Sequence, residues 1–87
     1  MRGVVLFSAG EECQGCRLTR RCMDAAGIPY RDIDLTDPAN ARYLVYVTRV
    51  LGHVRAPVVV VDDDHHWSGF RPDLISELHA SGTGMSR

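Results

Sequence analysis

The stretch Cys13-Gln14-Gly15-Cys16 lies where a predicted strand is followed by a predicted helix. Before it, residues 4–7 are Val-Val-Leu-Phe, a short apolar run whose β-branched and aromatic side chains favour a buried strand. After it, apolar side chains recur at helical spacing. The two cysteines are therefore predicted to lie at the N-terminal end of the first helix.

A cysteine in this position is suited to disulfide exchange. Unpaired backbone N–H groups and the helix dipole stabilise a thiolate at the N-terminal end, and the thiolate is the nucleophile in that reaction. The spacing brings the second sulfur back towards the first within one turn, where it can resolve a mixed disulfide. We expect Cys13 to be the exposed attacking thiolate, because it lies nearer the open end, and Cys16 to be the buried resolving thiol.

Two cysteines at this spacing are also half of a zinc site. His65 and His66 are candidates to complete one, but adjacent residues on a strand point to opposite faces, which argues against their binding one metal. We therefore favour a redox pair and expect no metal or other cofactor. A metal or iron–sulfur carrier that uses the same cysteines is the alternative from a different class. The other two histidines, His53 and His79, are predicted to be ordinary surface residues.

The first helix is predicted to end at Gly27 and Pro29, which are typical stop signals. Cys22 lies six residues after Cys16, on another face of the helix and about 9 Å further along its axis. This position suits a small buried apolar side chain better than a third redox thiol. The predicted apolar face consists of Leu18, Cys22, Ala25 and Ala26.

Length and composition indicate one domain of ordinary globular type. The chain has 87 residues, 45% of them hydrophobic, and its net charge of −1 gives no indication of binding to nucleic acid or an anionic membrane. Three cysteines are too few for a secreted disulfide scaffold, and the odd number fits a reducing compartment. With no signal peptide core or membrane span, we expect a cytoplasmic monomer. The domain is predicted over residues 1–80, followed by a disordered tail, residues 81–87.

A second strand and a second helix follow. Residues 30–35 alternate apolar and polar side chains, which predicts a strand with one buried face. Residues 36–38, Thr-Asp-Pro, predict a helix start, with a capping side chain and proline at the first helical position. The helix is predicted to end near Gly52, although its valines have low helix propensity and make it dependent on packing. Its predicted apolar face consists of Ala41, Leu44, Val45, Thr48 and Leu51.

The last third of the chain completes the pattern. Residues 58–61 are four valines, apolar on both faces, which predicts a central strand. The aspartates 62–64 predict a solvated turn rather than a calcium loop, so residues 65–68 form the second strand of a hairpin. A final helix is predicted over residues 73–79. With right-handed crossovers, the order β-α-β-α-β-β-α predicts a thioredoxin-like α/β fold, a four-stranded mixed sheet flanked by three helices on both faces. The first two strands should be parallel, with the hairpin on the other side of the first strand.

Three motifs at these positions resemble the NrdH-redoxins, small glutaredoxin-like proteins with thioredoxin-like behaviour. They are the cysteine pair, the Ala-Pro-Val-Val of residues 56–59, and the Trp-Ser-Gly-Phe-Arg-Pro of residues 67–72. The resemblance covers residues 4 to about 79, and the hexapeptide is the motif that distinguishes this family within the superfamily. It implies a donor of electrons to class Ib ribonucleotide reductase that is itself reduced by thioredoxin reductase.

The alternative with the same chemistry is a glutathione-dependent glutaredoxin. Glutaredoxins usually hold glutathione with a Gly-Gly turn and a following Asp ahead of the last helix. This chain has residues 68–72 in that place, where Phe70 adds bulk and Pro72 lacks a backbone donor. We therefore expect glutathione to be a poor reductant.

The resemblance also implies a set of site residues. The peptide bond Ala56–Pro57 should be cis and packed against the cysteine pair, although cis bonds are a minority among X-Pro bonds in general. The loop that follows the last strand should lie near the pair, with Trp67 structural, Phe70 in surface recognition and Arg71 capping or crossing the loop. The predicted partner-binding residues are Gln14, Gly15, Ala56, Pro57, Trp67, Ser68, Gly69, Phe70 and Arg71.

Two positions depart from the family pattern. The family usually has Gln immediately before the second cysteine, where this chain has Gly15, and a Lys-Pro pair before the first, where residues 10–12 are Gly-Glu-Glu. The helix N-terminus should hold the pKa of the Cys13 thiol below its ordinary value of about 8.5. Glu11 and Glu12 should oppose this shift, because nearby like charges disfavour a thiolate.

Overall fold

Four strands form one mixed sheet, in the order β2-β1-β3-β4. They are β1 (Val4–Ser8), β2 (Tyr30–Asp34), β3 (Val58–Asp62) and β4 (His65–Ser68). β1 runs parallel to β2 and antiparallel to β3, and β3 and β4 form an antiparallel hairpin. The computed structural model describes residues 3–62 and 64–80, without the side chains of residues 79 and 80. The predicted strand order is confirmed, whereas the predicted tail and His79 side chain lie outside the described part.

The central strand β1 separates two hydrophobic clusters because its side chains alternate between the faces of the sheet. Leu6, which is fully buried, belongs to the first core cluster, and Phe7 belongs to the second. The first core cluster comprises Val4, Leu6, Met23, Ile28, Val59, Trp67, Ile75 and Leu78. The second core cluster comprises Phe7, Ile33, Val47, Val58 and Val60. Helices therefore cover both faces, as a thioredoxin-like fold requires.

Helix α1 (Gln14–Ala25) begins at the redox pair, with Cys13 as its N-cap. It ends as predicted, since Gly27 has a φ of +72°, a conformation that glycine adopts without strain. The predicted apolar face is wrong at Ala25, which is exposed, and it omitted the fully buried positions Cys16, Thr19 and Met23. Thr19 can occupy the core because its hydroxyl donates a hydrogen bond to the Gly15 carbonyl oxygen, 2.8 Å away.

The remaining members of the predicted face lie at its margin. Cys22 and Ala26 are half-buried and pack against the first core cluster, and Leu18 is also half-buried. Cys22 is a free cysteine. It therefore acts as a small apolar side chain at the edge of the core, less buried than the sequence predicted.

The second helical segment is not the single helix that the sequence predicted. A 3₁₀ turn (Pro38–Asn40) leads into a short helix α2 (Ala41–Val45), which continues as a π-helical turn (Tyr46–Val50). The predicted start is confirmed, because the Asp37 carboxylate accepts a hydrogen bond from the Ala39 N–H at 3.0 Å. The valines contribute little intrinsic helix propensity, so packing against the sheet decides the conformation.

The face that this segment presents to the sheet also differs from the prediction. Leu44 and Val45 are exposed, whereas Val47 is buried in the second core cluster. The rings of Tyr43 and Tyr46 lie 5.9 and 6.5 Å from the Phe7 ring, measured between centroids. These aromatic contacts, together with the buried Val47, hold this face of the segment against the sheet.

Helix α3 (Pro72–Ala80) closes the first core cluster on the same face as α1. Pro72 is its first residue, where the missing N–H costs nothing, and Asp73 lies in its first turn. Ile75 and Leu78, three residues apart, are buried. Within residues 3–62 and 64–80, the helices include none that is long and apolar enough to cross a membrane.

Candidate active site

The two cysteines of the α1 N-terminus are joined by a disulfide bond, and their Cα atoms lie 5.2 Å apart. Cys16 is fully buried, whereas Cys13 is half-buried. The Cys13 sulfur accepts a hydrogen bond from the Cys16 N–H at 3.2 Å. The order of exposure is the one predicted, and the Cys16 N–H already donates to the outer sulfur. This arrangement favours a thiolate at Cys13 in the reduced protein.

The loop before β3 lies directly against the redox pair. The Ala56–Pro57 peptide bond is cis, as the family resemblance implied, and Pro57 is buried. A β-carbon built at Gly15 would lie only 3.1 Å from Pro57 Cδ. Pro57 therefore packs against the backbone between the two cysteines, while Ala56 next to it is half-buried.

The loop after β4 joins the same site. The Gly69 N–H donates a hydrogen bond to the Pro57 carbonyl oxygen at 2.8 Å, and Gly69 has a φ of +88°. Phe70 is half-buried; its Cβ would lie 3.9 Å from a β-carbon at position 15. Gly15, Pro57, Gly69 and Phe70 are thus brought together from three separate parts of the chain.

Trp67 and Ser68 belong to β4 itself. Trp67 is 5% exposed and is part of the first core cluster, which supports a structural role. Its indole N–H has no hydrogen-bond partner among the residues that the structure describes. Ser68 is half-buried and lies opposite Val58 in the register of the hairpin.

The side chain of Arg71 pairs with the start of α3 and does not cross the loop. Its guanidinium donates two hydrogen bonds to the Asp73 carboxylate, at 3.1 and 2.9 Å. This hydrogen bonding raises the pKa of Arg71 and lowers the pKa of the Asp73 carboxyl. The sequence predicted that Arg71 caps or crosses the loop, and the bidentate pair with Asp73, two residues away, joins it to the start of α3 at the end of that loop.

A polar network near the end of β1 was not anticipated from the sequence. The buried Ser8 hydroxyl donates a hydrogen bond to the Asp32 carboxylate at 2.7 Å, and Arg20 of α1 pairs with the other oxygen of Asp32. The network ties α1 to both strands of the parallel pair. The available signal was weak, since it consisted of a serine at the end of a buried strand and an acidic residue on its neighbour.

The prediction that His53 is an ordinary surface residue is wrong. His53 Nε2 lies 2.8 Å from His66 Nδ1, and the two rings are nearly perpendicular. Burial, and then the charge of His66, lowers the pKa of His53. The pair joins the segment before Pro57 to β4. Across the described residues, no group of three or more His, Cys, Asp or Glu side chains is placed to hold a metal ion.

The solvent side of α1 forms an open groove of about 500 Å³ that begins beside the redox pair. It is called the arginine groove below, because three of its residues are arginines. Its lining residues are Gln14, Arg17, Leu18, Arg20, Arg21 and Asp24. Gln14, predicted as a partner-binding residue, is exposed at the end nearest Cys13.

The chain is similar to known proteins over most of its length. The glutaredoxin family pattern matches residues 4–66. The Gene 56 protein of Mycobacterium phage L5 is 38% identical over 77 residues, which cover 84% of this chain and 73% of that protein. The glutaredoxin-like protein NrdH of Escherichia coli K12 is 35% identical over 68 residues, covering 78% of this chain and 79% of that protein.

A solved structure agrees with the sequence comparisons. NrdH-redoxin from Escherichia coli, described as having a thioredoxin-like activity profile, superposes with a TM-score of 0.72 at 32% identity. The superposition covers 87% of this chain and 93% of that one. The chain therefore belongs to the glutaredoxin family and, within it, to the NrdH-redoxins.

Proposed function

We propose that the chain supplies electrons to class Ib ribonucleotide reductase and is itself reduced by thioredoxin reductase. Its family makes it a thiol–disulfide oxidoreductase, with a cysteine pair at disulfide distance. One observation carries the proposal: the Cys13–Cys16 disulfide lies at the N-terminus of α1, with Cys13 half-buried and Cys16 fully buried.

The geometry supports an exchange reaction in two steps. The Cys13 thiolate attacks one sulfur of the partner disulfide, and the partner's other sulfur leaves as a thiolate that takes up a proton. The Cys16 thiol then loses its proton and attacks the Cys13 sulfur, which forms the Cys13–Cys16 bond and releases the second partner thiol. Two electrons have then passed from this chain to the partner disulfide.

Features on both sides of the redox pair would assist these steps. The Cys16 N–H, 3.2 Å from the Cys13 sulfur, stabilises the attacking thiolate by a hydrogen bond. Pro57 offers no backbone donor, but the neighbouring Ala56 backbone can pair with an extended substrate segment. Because Cys16 is fully buried, it can react only with a sulfur already attached to Cys13.

The loop near Gly69 supports thioredoxin reductase over glutathione as the electron source. Phe70 occupies space beside Gly15, where a small residue would leave room for a tripeptide. Asp73, the acidic residue at the start of α3, is already bound by Arg71. A ligand ammonium group would have to compete with this pair. The Escherichia coli relative with a thioredoxin-like activity profile points in the same direction.

The test is a reconstituted reduction assay with two electron sources. Thioredoxin reductase with NADPH is compared with glutathione and its own reductase, with class Ib ribonucleotide reductase as the final acceptor. We expect turnover with the first source at least about tenfold faster than with the second. Cys22→Ser serves as the control that keeps the redox pair intact. Equal rates with glutathione would assign the chain to the glutathione-dependent glutaredoxins, and absence of ribonucleotide reduction would exclude the proposed acceptor.

A further inference from the structure

The arginine groove contains charges that the exchange chemistry does not use. Arg17 and Arg21, four residues apart on the same side of α1, are both exposed. Within the described part of the chain, neither forms an ion pair with an acidic side chain. Arg17 donates only a long hydrogen bond, 3.5 Å, to the Glu11 carbonyl oxygen.

Two further charged residues line the groove. Arg20 is paired with Asp32 across the edge of the sheet. Asp24 lies near Tyr30, whose pKa is raised by burial and then by the charge of this carboxylate. The groove therefore presents two guanidinium groups, those of Arg17 and Arg21, for which the described chain has no anionic partner.

We propose that the arginine groove binds acidic side chains of the polypeptide segment whose disulfide Cys13 attacks. This inference rests on the proposed thiol–disulfide exchange and adds the chemistry of the substrate to it. The groove begins at Gln14, the residue after Cys13, so a segment bound through its cysteine would continue directly along α1. A guanidinium group is suited to this role because it binds carboxylates in a planar, bidentate geometry.

The spacing along α1 specifies where the acidic residues should be. At about 1.5 Å of rise per residue, Arg17 lies roughly 6 Å and Arg21 roughly 12 Å along the helix from Cys13. An extended segment advances about 3.3 Å per residue. Carboxylates two and four residues from the reacting cysteine would therefore reach the two arginines.

The sign of the charge changes on either side of Cys13. Glu11 and Glu12, both exposed, precede it, whereas the arginines follow it. An acidic segment is repelled by the carboxylates and attracted along α1. The groove therefore provides direction as well as affinity for an acidic partner.

The test uses synthetic peptides whose single cysteine forms a disulfide with 2-mercaptoethanol. Aspartates are placed two and four residues from the cysteine, before it in one peptide and after it in another, and asparagines replace them in a third. The reduced protein is used at low salt. We expect the acidic peptide whose aspartates extend along α1 to react about fivefold faster than the asparagine peptide. This advantage should approach onefold as salt is raised to about 0.5 M, because exposed charges are screened.

Variants separate the groove from net charge. Arg17→Gln combined with Arg21→Gln should abolish the advantage of the acidic peptide. Arg42→Gln combined with Arg49→Gln should retain it, since it changes the charge equally on the second helical segment, at the opposite face of the sheet. The ratio of the rates for the acidic and asparagine peptides is compared within each variant, so a general change in thiol reactivity affects both rates equally and leaves the ratio unchanged.

A charge reversal provides a positive test. Arg17→Glu combined with Arg21→Glu should prefer a peptide with lysines in place of the aspartates. Acidic preference that survives the glutamine variant, or that is lost equally in the control, would overturn the role of the groove while exchange itself continues. If none of the peptide disulfides is reduced, the proposed thiol–disulfide exchange fails, and this inference fails with it.

Discussion

Gly15 and Pro57 approach so closely that a β-carbon at position 15 would lie 3.1 Å from the proline Cδ. Gly15 is the second residue of α1, and Pro57 directly precedes β3. The contact therefore fixes the backbone between the cysteines against the cis-proline loop.

Substituting Gly15 with Val should destabilise the oxidised protein by about 1–3 kcal/mol, because the added side chain collides with the buried Pro57. Gln14→Val is the matched control, since it places the same β-branched residue at an exposed neighbouring position. Urea unfolding of both variants measures the difference. Equal stability of the two variants would show that the proline loop moves away without cost.

The contact between His53 and His66 predicts a pH dependence of stability. The pKa of His53 is lowered in the folded protein from its ordinary value of 6.5, so the unfolded chain binds protons more readily. This group's contribution is fully present above about pH 6.5 and is lost as the pH falls towards the lowered pKa.

Replacing His53 with Gln should therefore reduce the loss of stability between about pH 7 and pH 5. His65→Gln, at an exposed position on the same strand as His66, is the control and should keep the wild-type slope. Chemical unfolding at a series of pH values gives both slopes. A slope unchanged by His53→Gln would mean that the pKa of His53 is not lowered in the folded protein.

Glu11 and Glu12 should reduce the reactivity of Cys13 through their charge. Replacing both with Gln removes two like charges from the neighbourhood of the thiolate, which should lower the thiol pKa and speed alkylation at neutral pH. The difference from the wild type should shrink as salt is added. Glu77→Gln on α3 combined with Asp64→Asn in the hairpin turn removes two charges as well, and is the control for a general change in net charge. Alkylation rates that do not respond to the double substitution would show that the local backbone alone sets the thiolate.

The parts of the fold decided by local pattern could be predicted from the sequence. The four valines of residues 58–61 are apolar on both faces, and they belong to β3, one of the two inner strands of the sheet. Because β-α-β connections are right-handed, only one arrangement of the other strands was then expected. Helix α1 ends near Gly27 as predicted, because glycine, which has no β-carbon, adopts the positive φ found there without strain.

Features decided by tertiary packing could not be predicted in this way. The spacing of apolar residues in the second helical segment favoured Leu44 and Val45 as the buried face, but the contacts of Tyr43 and Tyr46 with Phe7 turned the segment differently. Helix and strand propensities are properties of single residues and contain no information about contacts between residues distant in sequence.

The same distinction applies to the site. The cysteine pair was visible as a motif, and the family resemblance implied the cis-proline and the loop near Gly69. The hydrogen bond from Ser8 to Asp32 depends on the register of two parallel strands. The contact of His53 with His66 depends on the path of the loop before Pro57. Neither could be obtained from residue spacing.

Trapping of mixed disulfides with variants that each lack one cysteine tests most directly whether Cys13 attacks and Cys16 resolves. Cys16→Ser should accumulate a covalent adduct with a disulfide partner through Cys13, because the resolving thiol that would release it is absent. Cys13→Ser should form no adduct, since Cys16 is fully buried. Cys22→Ser should turn over as the wild type does. Mass spectrometry that finds adducts equally through Cys13 and Cys16 would contradict the assignment of one attacking and one resolving thiol.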